Sequence, residues 1–333
     1  MQSRHRPRWH VTTRIAVALV TCATATAIAQ RHPMPVGLGL VYTQVAVEHA
    51  TRGVLTDLTR ADFQLRADGI ARPIAFFSAA DQPLTMVLLI DNSSSMTSRV
   101  GVGVLRTIFY QNFVPGLKPG DRMRVGGISG HLGLSASFTG DRRVLIEAIN
   151  AALAIPDAER YGPSPIWDAV DSAITALSGE TGRRVIVLLT DGRSTGNRSS
   201  FSDVVGRAMA AGIMVNVVGK DTQEVLFQDR GSMVVRGDAE VALKALTDLT
   251  GGLFRSDNRV RVVSARSPDG AVLPDRSPDT NIGRLMARVM TELHQLYTIG
   301  FMPVMRDGQT HTLDVQALPP DLTVRARRAF IAQ

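Results

Sequence analysis

The middle of the chain alternates between short, continuous apolar runs and segments with helical periodicity. The apolar runs at 86–90, 185–189 and 213–218 are typical of strands buried on both faces of a parallel sheet. A further strand is expected at 123–128 and a short edge strand at 136–138. The helical stripes between them are Leu105, Ile108, Phe109 and Phe113; Leu145, Ile149, Ala152 and Leu153; Ile166, Val170, Ile174 and Leu177; and, less regularly, Val241, Leu243, Leu246 and Leu249. This alternation predicts a doubly wound, mostly parallel α/β sheet with right-handed crossovers.

Towards both ends of the chain, the strand patterns are shorter and are interrupted by turns. Residues 41–47 alternate in the manner of a half-buried strand, and two strand-like pieces flank the turn dipeptide Asp68-Gly69. Near the other end, an apolar helical stripe from Ile282 to Leu293 is followed by β-like pieces. We therefore expect a small accessory β unit built from both ends of the chain.

These patterns divide the chain into five parts. They are an export signal at 1–29, an N-terminal β segment at 37–80, the α/β domain at 81–256, a polar loop or linker at 257–280, and a C-terminal helix and β segment at 281–333.

The first 29 residues have the features of an export signal. An arginine-rich head precedes a short apolar run, and Ala27-Ile28-Ala29 forms an A-x-A cleavage pattern ahead of Gln30. We expect a periplasmic or extracellular protein. The apolar run is too short for a typical spanning helix, so membrane attachment would require an uncleaved signal or acylation of Cys22, the single cysteine. After cleavage at this pattern the protein would have no disulfide and no thiol chemistry.

The net positive charge of the chain does not indicate nucleic-acid binding. Four arginines and no acidic residue lie in the predicted signal, so its removal lowers the formal net charge from +7 to +3. The chain has only three lysines, Lys118, Lys220 and Lys244, and they are scattered, whereas a nucleic-acid binder shows a basic stripe or tail.

Two loops that leave the predicted buried strands are rich in oxygen ligands. Asp91-Asn92-Ser93-Ser94-Ser95 follows the strand at 86–90, and Thr190-Asp191-Gly192 follows the strand at 185–189. Ligands of open α/β sheets bind at this carboxyl edge. Carboxylates and hydroxyls are hard donors that suit Mg²⁺ or Mn²⁺. A cation there would also neutralise two aspartates that otherwise repel each other.

The motif Asp91-x-Ser93-x-Ser95 resembles the D-x-S-x-S signature of the metal-ion-dependent adhesion site of von Willebrand factor type A (vWA) domains. That family adds a threonine from a second loop, and Ser164 stands at this position within Gly162–Ala169. It also adds an aspartate from a third loop, which matches Asp191. Serine at 164 keeps the hydroxyl and loses the methyl group that restrains its rotamer.

The resemblance also covers segments 58–63, 68–69 and 295–301, which are similar to flanking segments of exported bacterial vWA proteins. It implies direct coordination of Mg²⁺, Mn²⁺ or Ca²⁺ by the three serines. The two aspartates would bind the ion directly or through water, and an Asp or Glu of a protein partner would complete the shell. The resemblance therefore implies a binding module and not an enzyme.

Two other interpretations of these loops stay open. The serines and aspartates alone are also typical of helix caps and turns, which would make the chain a structural envelope protein without a metal. A metal-dependent hydrolase would use the same ion to activate water. The chain has no G-x-x-x-x-G-K-[ST] or H-E-x-x-H motif, and the isolated His294 and His311 are typical of structural histidines.

Overall fold

The computed structural model describes residues 39–79, 81–129, 131–154, 161–222, 224–227, 233–236, 238–258 and 280–332. The predicted export signal with Cys22, and nearly all of the predicted linker at 257–280, lie outside these residues. The boundaries of the five parts stay predictions. No helix in the described part of the chain has the length and apolar content required to cross a membrane.

Seventeen strands and seven α-helices are described. The strands are β1 (Val41–His49), β2 (Gly53–Val54), β3 (Phe63–Ala67), β4 (Ile70–Arg72), β5 (Phe76–Ser78), β6 (Leu84–Asp91), β7 (Arg122–Ser129), β8 (His131–Leu134), β9 (Arg183–Thr190), β10 (Met214–Lys220), β11 (Glu224–Phe227), β12 (Met233–Arg236), β13 (Phe254–Asp257), β14 (Tyr297–Phe301), β15 (Thr310–Ala317), β16 (Leu322–Ala326) and β17 (Ala329–Ile331). The helices are α1 (Ser94–Val100), α2 (Val102–Ile108), α3 (Arg142–Leu153), α4 (Ile166–Ser178), α5 (Phe201–Ala211), α6 (Asp238–Thr250) and α7 (Thr280–Leu293).

A six-stranded sheet forms the centre of the molecule, in the order β13-β10-β9-β6-β7-β8. Its neighbours are parallel except for the antiparallel pair β7–β8. All eight residues of β6 are buried, as its continuous apolar run predicts. Side chains of β6 alternate between two hydrophobic cores, one shared with α1, α2, α3 and α7 and the other with α4, α5 and α6. The predicted doubly wound α/β fold is confirmed.

The edge of this sheet beyond β7 differs from the prediction. The predicted edge strand at 136–138 is wrong, because the edge strand is β8 (His131–Leu134). β8 pairs with β7 in antiparallel register, with Gly126 opposite Leu134. An antiparallel pair needs only a tight turn, so the chain reverses directly after β7. Only Thr139 of the following segment forms a β-bridge, to Met123.

The helical stripe that includes Phe109 and Phe113 does not belong to one regular α-helix. Gly101, with a φ of 86°, separates α1 from α2. After Ile108 the chain continues as a π-helical turn at Phe109–Phe113, and both phenylalanines are buried. The π turn keeps the two rings on the core face after the α-helical spacing ends.

The accessory unit consists of two antiparallel sheets from both ends of the chain. One has the order β16-β1-β14-β5 with β2 paired to β1, and the other has the order β17-β15-β3-β4. Their inner faces share one hydrophobic core, to which Val45 and Tyr297 contribute from the first sheet and Leu65 and Phe330 from the second. β11 and β12 form a separate hairpin.

His311 joins two turns of the accessory unit. Its Nδ1 lies 2.7 Å from Oδ2 of Asp68 and its Nε2 lies 3.0 Å from Oδ1 of Asp307. Its ring stacks on Phe330. Both ring nitrogens are donors only when the imidazole is protonated. Hydrogen bonds to Asp307 and Asp68 therefore raise the pKa of His311 above its ordinary value of 6.5.

We expect His311→Gln to reduce the pH dependence of stability above pH 6.5. Because the folded-state pKa is raised, the stabilisation is fully present below the unfolded-state pKa and is lost as pH rises through the folded-state pKa. Urea unfolding should be measured below the unfolded-state pKa and above the folded-state pKa. Between these two pH values, the free energy of unfolding of the wild type should fall, and that of the variant should fall less. Equal slopes would contradict the role of this histidine.

Candidate metal centre

Three loops meet at the carboxyl edge of the central sheet. β6 and β9 are adjacent and parallel, with Ile90 opposite Leu189, so Asp91 and Thr190 end the two strands side by side. The first loop continues from Asp91 into α1, and the third continues from Thr190 toward α5. Ser164 belongs to the second loop, two residues before α4. The fold thus places the three predicted loops at one point.

Asp91 contacts all three loops through its side chain, which is fully buried. Its Oδ1 accepts hydrogen bonds from the backbone N–H of Ser93 at 3.1 Å and from the hydroxyl of Ser164 at 3.3 Å. Its Oδ2 accepts a hydrogen bond from the hydroxyl of Thr190 at 2.6 Å. The carboxylate of Asp91 therefore links the three loops through hydrogen bonds.

Ser93 and Ser95 bring two hydroxyl groups together beside Asp91. Their Oγ atoms lie 3.1 Å apart, with Ser93 buried and Ser95 partly exposed. Ser93 occupies the position before the first residue of α1, but its side chain forms no capping hydrogen bond to that helix. The helix-cap interpretation therefore does not account for the hydroxyl of Ser93.

Asp191 is also buried, and one of its oxygens has no hydrogen bond. Its Oδ1 accepts a hydrogen bond from the backbone N–H of Arg193 at 3.0 Å, a turn contact. Its Oδ2 is buried without a hydrogen-bond partner, and Nε of Arg193 lies 3.7 Å from it. A buried carboxylate oxygen without a donor is costly unless a cation satisfies it.

Asp191 lies close enough to Asp91 to change the ionisation of Asp91. The pKa of Asp91 is raised to about 6, first by burial and second by the negative charge of Asp191. Hydrogen bonds from Ser93 and Thr190 oppose this shift. Both side chains are buried, and the negative charge of Asp191 disfavours the ionised form of Asp91, so a cation would be favourable here.

The donor set fits a hard divalent cation. It consists of two carboxylates and several hydroxyl groups, the ligands that Mg²⁺ and Mn²⁺ prefer. Among the described residues there is no group of three His, Cys, Asp or Glu side chains that could hold a metal. A metal centre here thus depends on the serine hydroxyls. The assignment of Asp91, Ser93, Ser95, Ser164 and Asp191 as ligands stays a prediction.

The second and third loops support each other by direct hydrogen bonds. The backbone N–H of Ser164 donates to the hydroxyl of Thr195 at 3.0 Å, and the backbone N–H of Thr195 donates to the carbonyl of Ser164 at 2.9 Å. Asp168 of α4 accepts a hydrogen bond from the backbone N–H of Ser199 at 2.7 Å. These contacts fix the backbone of Ser164, although its side chain lacks the restraint of a threonine.

Thr190 is a site residue that the sequence motifs did not identify as one. Its hydroxyl donates to Asp91 and accepts a hydrogen bond from the backbone N–H of Gly192 at 2.9 Å. One hydroxyl thus orients the first carboxylate and closes the turn that carries the second. The available signal was a hydroxyl residue directly before Asp191 at the end of a buried strand.

Gly127 lies beneath the first loop and has a steric role that the sequence did not reveal. The side-chain amide of Asn92 donates to the carbonyl of Ala152. A Cβ atom at position 127 would lie 2.6 Å from that carbonyl oxygen and 3.1 Å from Nδ2 of Asn92. A side chain at 127 would therefore displace Asn92, which adjoins Asp91.

We expect Thr190→Val to lower the free energy of unfolding of the metal-free protein by about 1–3 kcal/mol, because it leaves a buried carboxylate oxygen and a turn N–H without their hydrogen bonds. Thr190→Ser keeps the hydroxyl and should lose less. Urea unfolding of both variants measures the difference. Equal losses would show that the hydroxyl is not what stabilises the site.

Comparisons with known proteins agree with this fold. The family model for the von Willebrand factor type A domain matches residues 85–246. No curated protein matches the chain significantly.

Several solved structures are similar to the chain at low identity. The conserved hypothetical protein BatB from Bacteroides thetaiotaomicron is 15% identical with a TM-score of 0.43, and the match covers 63% of this chain and 98% of that one. An aerotolerance-related membrane protein from Bacteroides fragilis is 16% identical with a TM-score of 0.45 and the same coverage. A von Willebrand factor type A protein from Catenulispora acidiphila is 11% identical with a TM-score of 0.47, covering 89% of this chain and 64% of that one.

Proposed function

The chain carries a von Willebrand factor type A domain over residues 85–246, and we propose that this domain binds a protein partner through a divalent cation held at the Asp91 loop. Domains of this family often bind proteins and often hold a divalent metal. They are typically not catalytic. The proposal applies both family properties to this chain.

The buried, unsatisfied oxygen of Asp191 beside Asp91 is the observation that carries the proposal. The two carboxylates are buried and repel each other, and Oδ2 of Asp191 has no hydrogen-bond donor among the described residues. The ligands would be Asp91, Ser93, Ser95, Ser164 and Asp191. Mg²⁺ is the first candidate, and titration against Mn²⁺ and Ca²⁺ would determine the preference.

The surface next to Ser95 offers space for a partner. A shallow groove is lined by Ser94, Ser95, Thr97, Ser98, Val102 and Tyr161. The Tyr161 residue is 79% exposed. A cation bound at the Asp91 loop would supply an open coordination position for an Asp or Glu of the partner. Exposed tyrosines are frequent anchors of protein interfaces, so Tyr161 would add apolar contact beside the charge contact.

A metal-dependent hydrolase is the alternative that uses the same residues. It would need a general base within reach of the metal-bound water. Within the described residues, the contacts of Ser93 are the loop itself and Ser95. His294, in contrast, contacts Asp81 and Asp121 at the opposite edge of β6 and β7. These contacts favour the binding module, and turnover that depends on Asp191 would favour the hydrolase.

The proposed location is the periplasm or the extracellular space, because residues 1–29 have the pattern of an export signal. Membrane attachment would follow from an uncleaved signal or from acylation of Cys22. The charge distribution supports a protein partner and not nucleic acid.

We expect Mg²⁺ to raise the stability of the wild-type protein by about 2.7 kcal/mol at a hundredfold excess over its Kd, since it binds the folded state alone. Asp91→Asn removes one of the two charges that hold the ion and should abolish this response. Thermal unfolding with Mg²⁺ and with EDTA measures it. Asp248→Asn, at an exposed position of α6, should respond like wild type. Full stabilisation of the Asp91 variant would contradict the proposed site.

We expect Tyr161→Ala to weaken capture of the partner by about tenfold or more while leaving Mg²⁺ stabilisation unchanged, because Tyr161 lies beside the site and contributes no ligand. The assay is a pull-down from an envelope extract with Mg²⁺ or EDTA. Leu318→Ala removes another exposed apolar side chain, 59% exposed, from the accessory unit and is the control. Equal capture by wild type and Tyr161→Ala would exclude this groove as the contact surface.

A further inference from the structure

A second polar cavity lies at the amino-terminal edge of the central sheet, opposite the Asp91 loop. Its volume is about 250 Å³. Arg184 and Met214, near the starts of β9 and β10, line it together with the end of α5. Tyr42 of β1 and Arg327 close it from the accessory unit. Arg184 precedes Thr190 by six residues on β9, so the two sites are about 20 Å apart along the strand.

Among the residues that the structure describes, Arg327 is a buried cation without a carboxylate partner. It is 8% exposed. Its Nη2 donates to the carbonyl of Tyr42 at 2.6 Å, and its Nη1 donates to the carbonyl of Met209 at 3.4 Å. Its Nε is buried and has no acceptor. Burial lowers the pKa of Arg327 to about 10, so the guanidinium is still charged at neutral pH.

Arg184 places a second guanidinium at the same point. Its Nη2 donates to the carbonyl of Ala211 at the end of α5. A Cβ atom built on Gly212 would lie 3.9 Å from Nη2 of Arg184 and 3.9 Å from Nη1 of Arg327. The two cations therefore flank one glycine. In the described part of the chain, neither guanidinium forms an ion pair.

Two other arginines of the described residues, one buried and one partly buried, lie near acidic groups. Arg325 forms an ion pair with Glu292 at 2.9 Å. Arg183, adjacent to Arg184, donates to the carbonyls of Leu293 and Leu296 and lies in the field of Asp81 and Asp121. Burying a charge without compensation is costly. Arg327, which is buried, and Arg184, which is partly exposed, have no such acidic neighbour among the described residues, so the cavity that they line is a candidate anion site.

We propose that this cavity binds a doubly charged oxyanion of the phosphate class, either free phosphate or a phosphate monoester. Two guanidinium groups balance the charge of a dianion, whereas a carboxylate would balance only one of them. The planar N–H forks of arginine match the oxygens of phosphate. The backbone carbonyls take one N–H group of Arg184 and two of Arg327, which leaves several donors for the ligand.

The test is calorimetric titration of the purified protein in EDTA, so that phosphate does not bind through a metal at the Asp91 loop. Inorganic phosphate, glycerol phosphate and acetate are compared with sodium chloride at equal ionic strength. We expect saturable binding of one phosphate group per chain and no comparable binding of acetate. Tighter binding of glycerol phosphate than of inorganic phosphate would identify a monoester as the ligand, and the reverse would identify free phosphate.

Arg184→Gln is the primary variant, because Arg184 is partly exposed and its replacement leaves the core intact. It should weaken phosphate binding by about tenfold or more, since it removes charge-assisted hydrogen bonds. Arg327→Lys keeps the buried charge and should weaken binding less than Arg184→Gln. Arg143→Gln changes an exposed arginine of α3 and is the matched control.

Unchanged phosphate affinity in Arg184→Gln would overturn the proposal. So would equal binding of acetate and phosphate, or heats that do not exceed those of sodium chloride. Because the titration is made without metal, its failure leaves the proposed function of the Asp91 loop unaffected, and failure of that function leaves this result unaffected.

Discussion

The repulsion between two buried carboxylates is the constraint around which the candidate metal centre is built. Asp91 and Asp191 follow from adjacent parallel strands, so the sheet itself holds their charges together. The hydroxyl of Thr190 and the backbone of Ser93 stabilise the ionised form of Asp91, yet its pKa is still raised to about 6. Protein groups alone therefore satisfy this site only in part. A divalent cation is the ligand that would remove the remaining cost.

The two edges of the central sheet hold side chains of opposite charge. At the carboxyl edge, two buried aspartates lie together, and Nε of Arg193 lies 3.7 Å from Oδ2 of Asp191. At the amino edge, Arg184 and Arg327 lie together without an acidic partner among the described residues. The first edge belongs entirely to the α/β domain, whereas the second includes the accessory unit. An anion at the second edge would stabilise the contact between the domain and the β unit built from both chain ends.

The sequence predicted the parts of this arrangement that depend on local pattern. The continuous apolar runs of β6 and β9 identified buried parallel strands, and the parallel pairing placed Asp91 and Asp191 at the same edge. The D-x-S-x-S signature identified Ser93 and Ser95 as a pair of candidate ligands, and their hydroxyl oxygens lie 3.1 Å apart. The resemblance to vWA domains then identified Ser164, whose hydroxyl donates to Asp91.

The features that the sequence did not predict depend on contacts between distant segments. Gly127 is required because Ala152 and Asn92 approach it closely, which no local pattern reveals. The edge strand was predicted at 136–138 from a weak strand pattern. In the fold, β8 lies at this edge instead, because it pairs with β7 in antiparallel register. Arg184 and Arg327 lie close together only because the fold brings β9 and the end of the accessory unit to Gly212.

Crystals grown with Mn²⁺ would locate the bound ion through its anomalous scattering. We expect one strong anomalous peak at the carboxyl edge of the sheet, in contact with the hydroxyl oxygens of Ser93 and Ser95 and next to the carboxylates of Asp91 and Asp191. A peak elsewhere, or none at this edge at a Mn²⁺ concentration that saturates thermal stabilisation, would contradict the proposed metal centre.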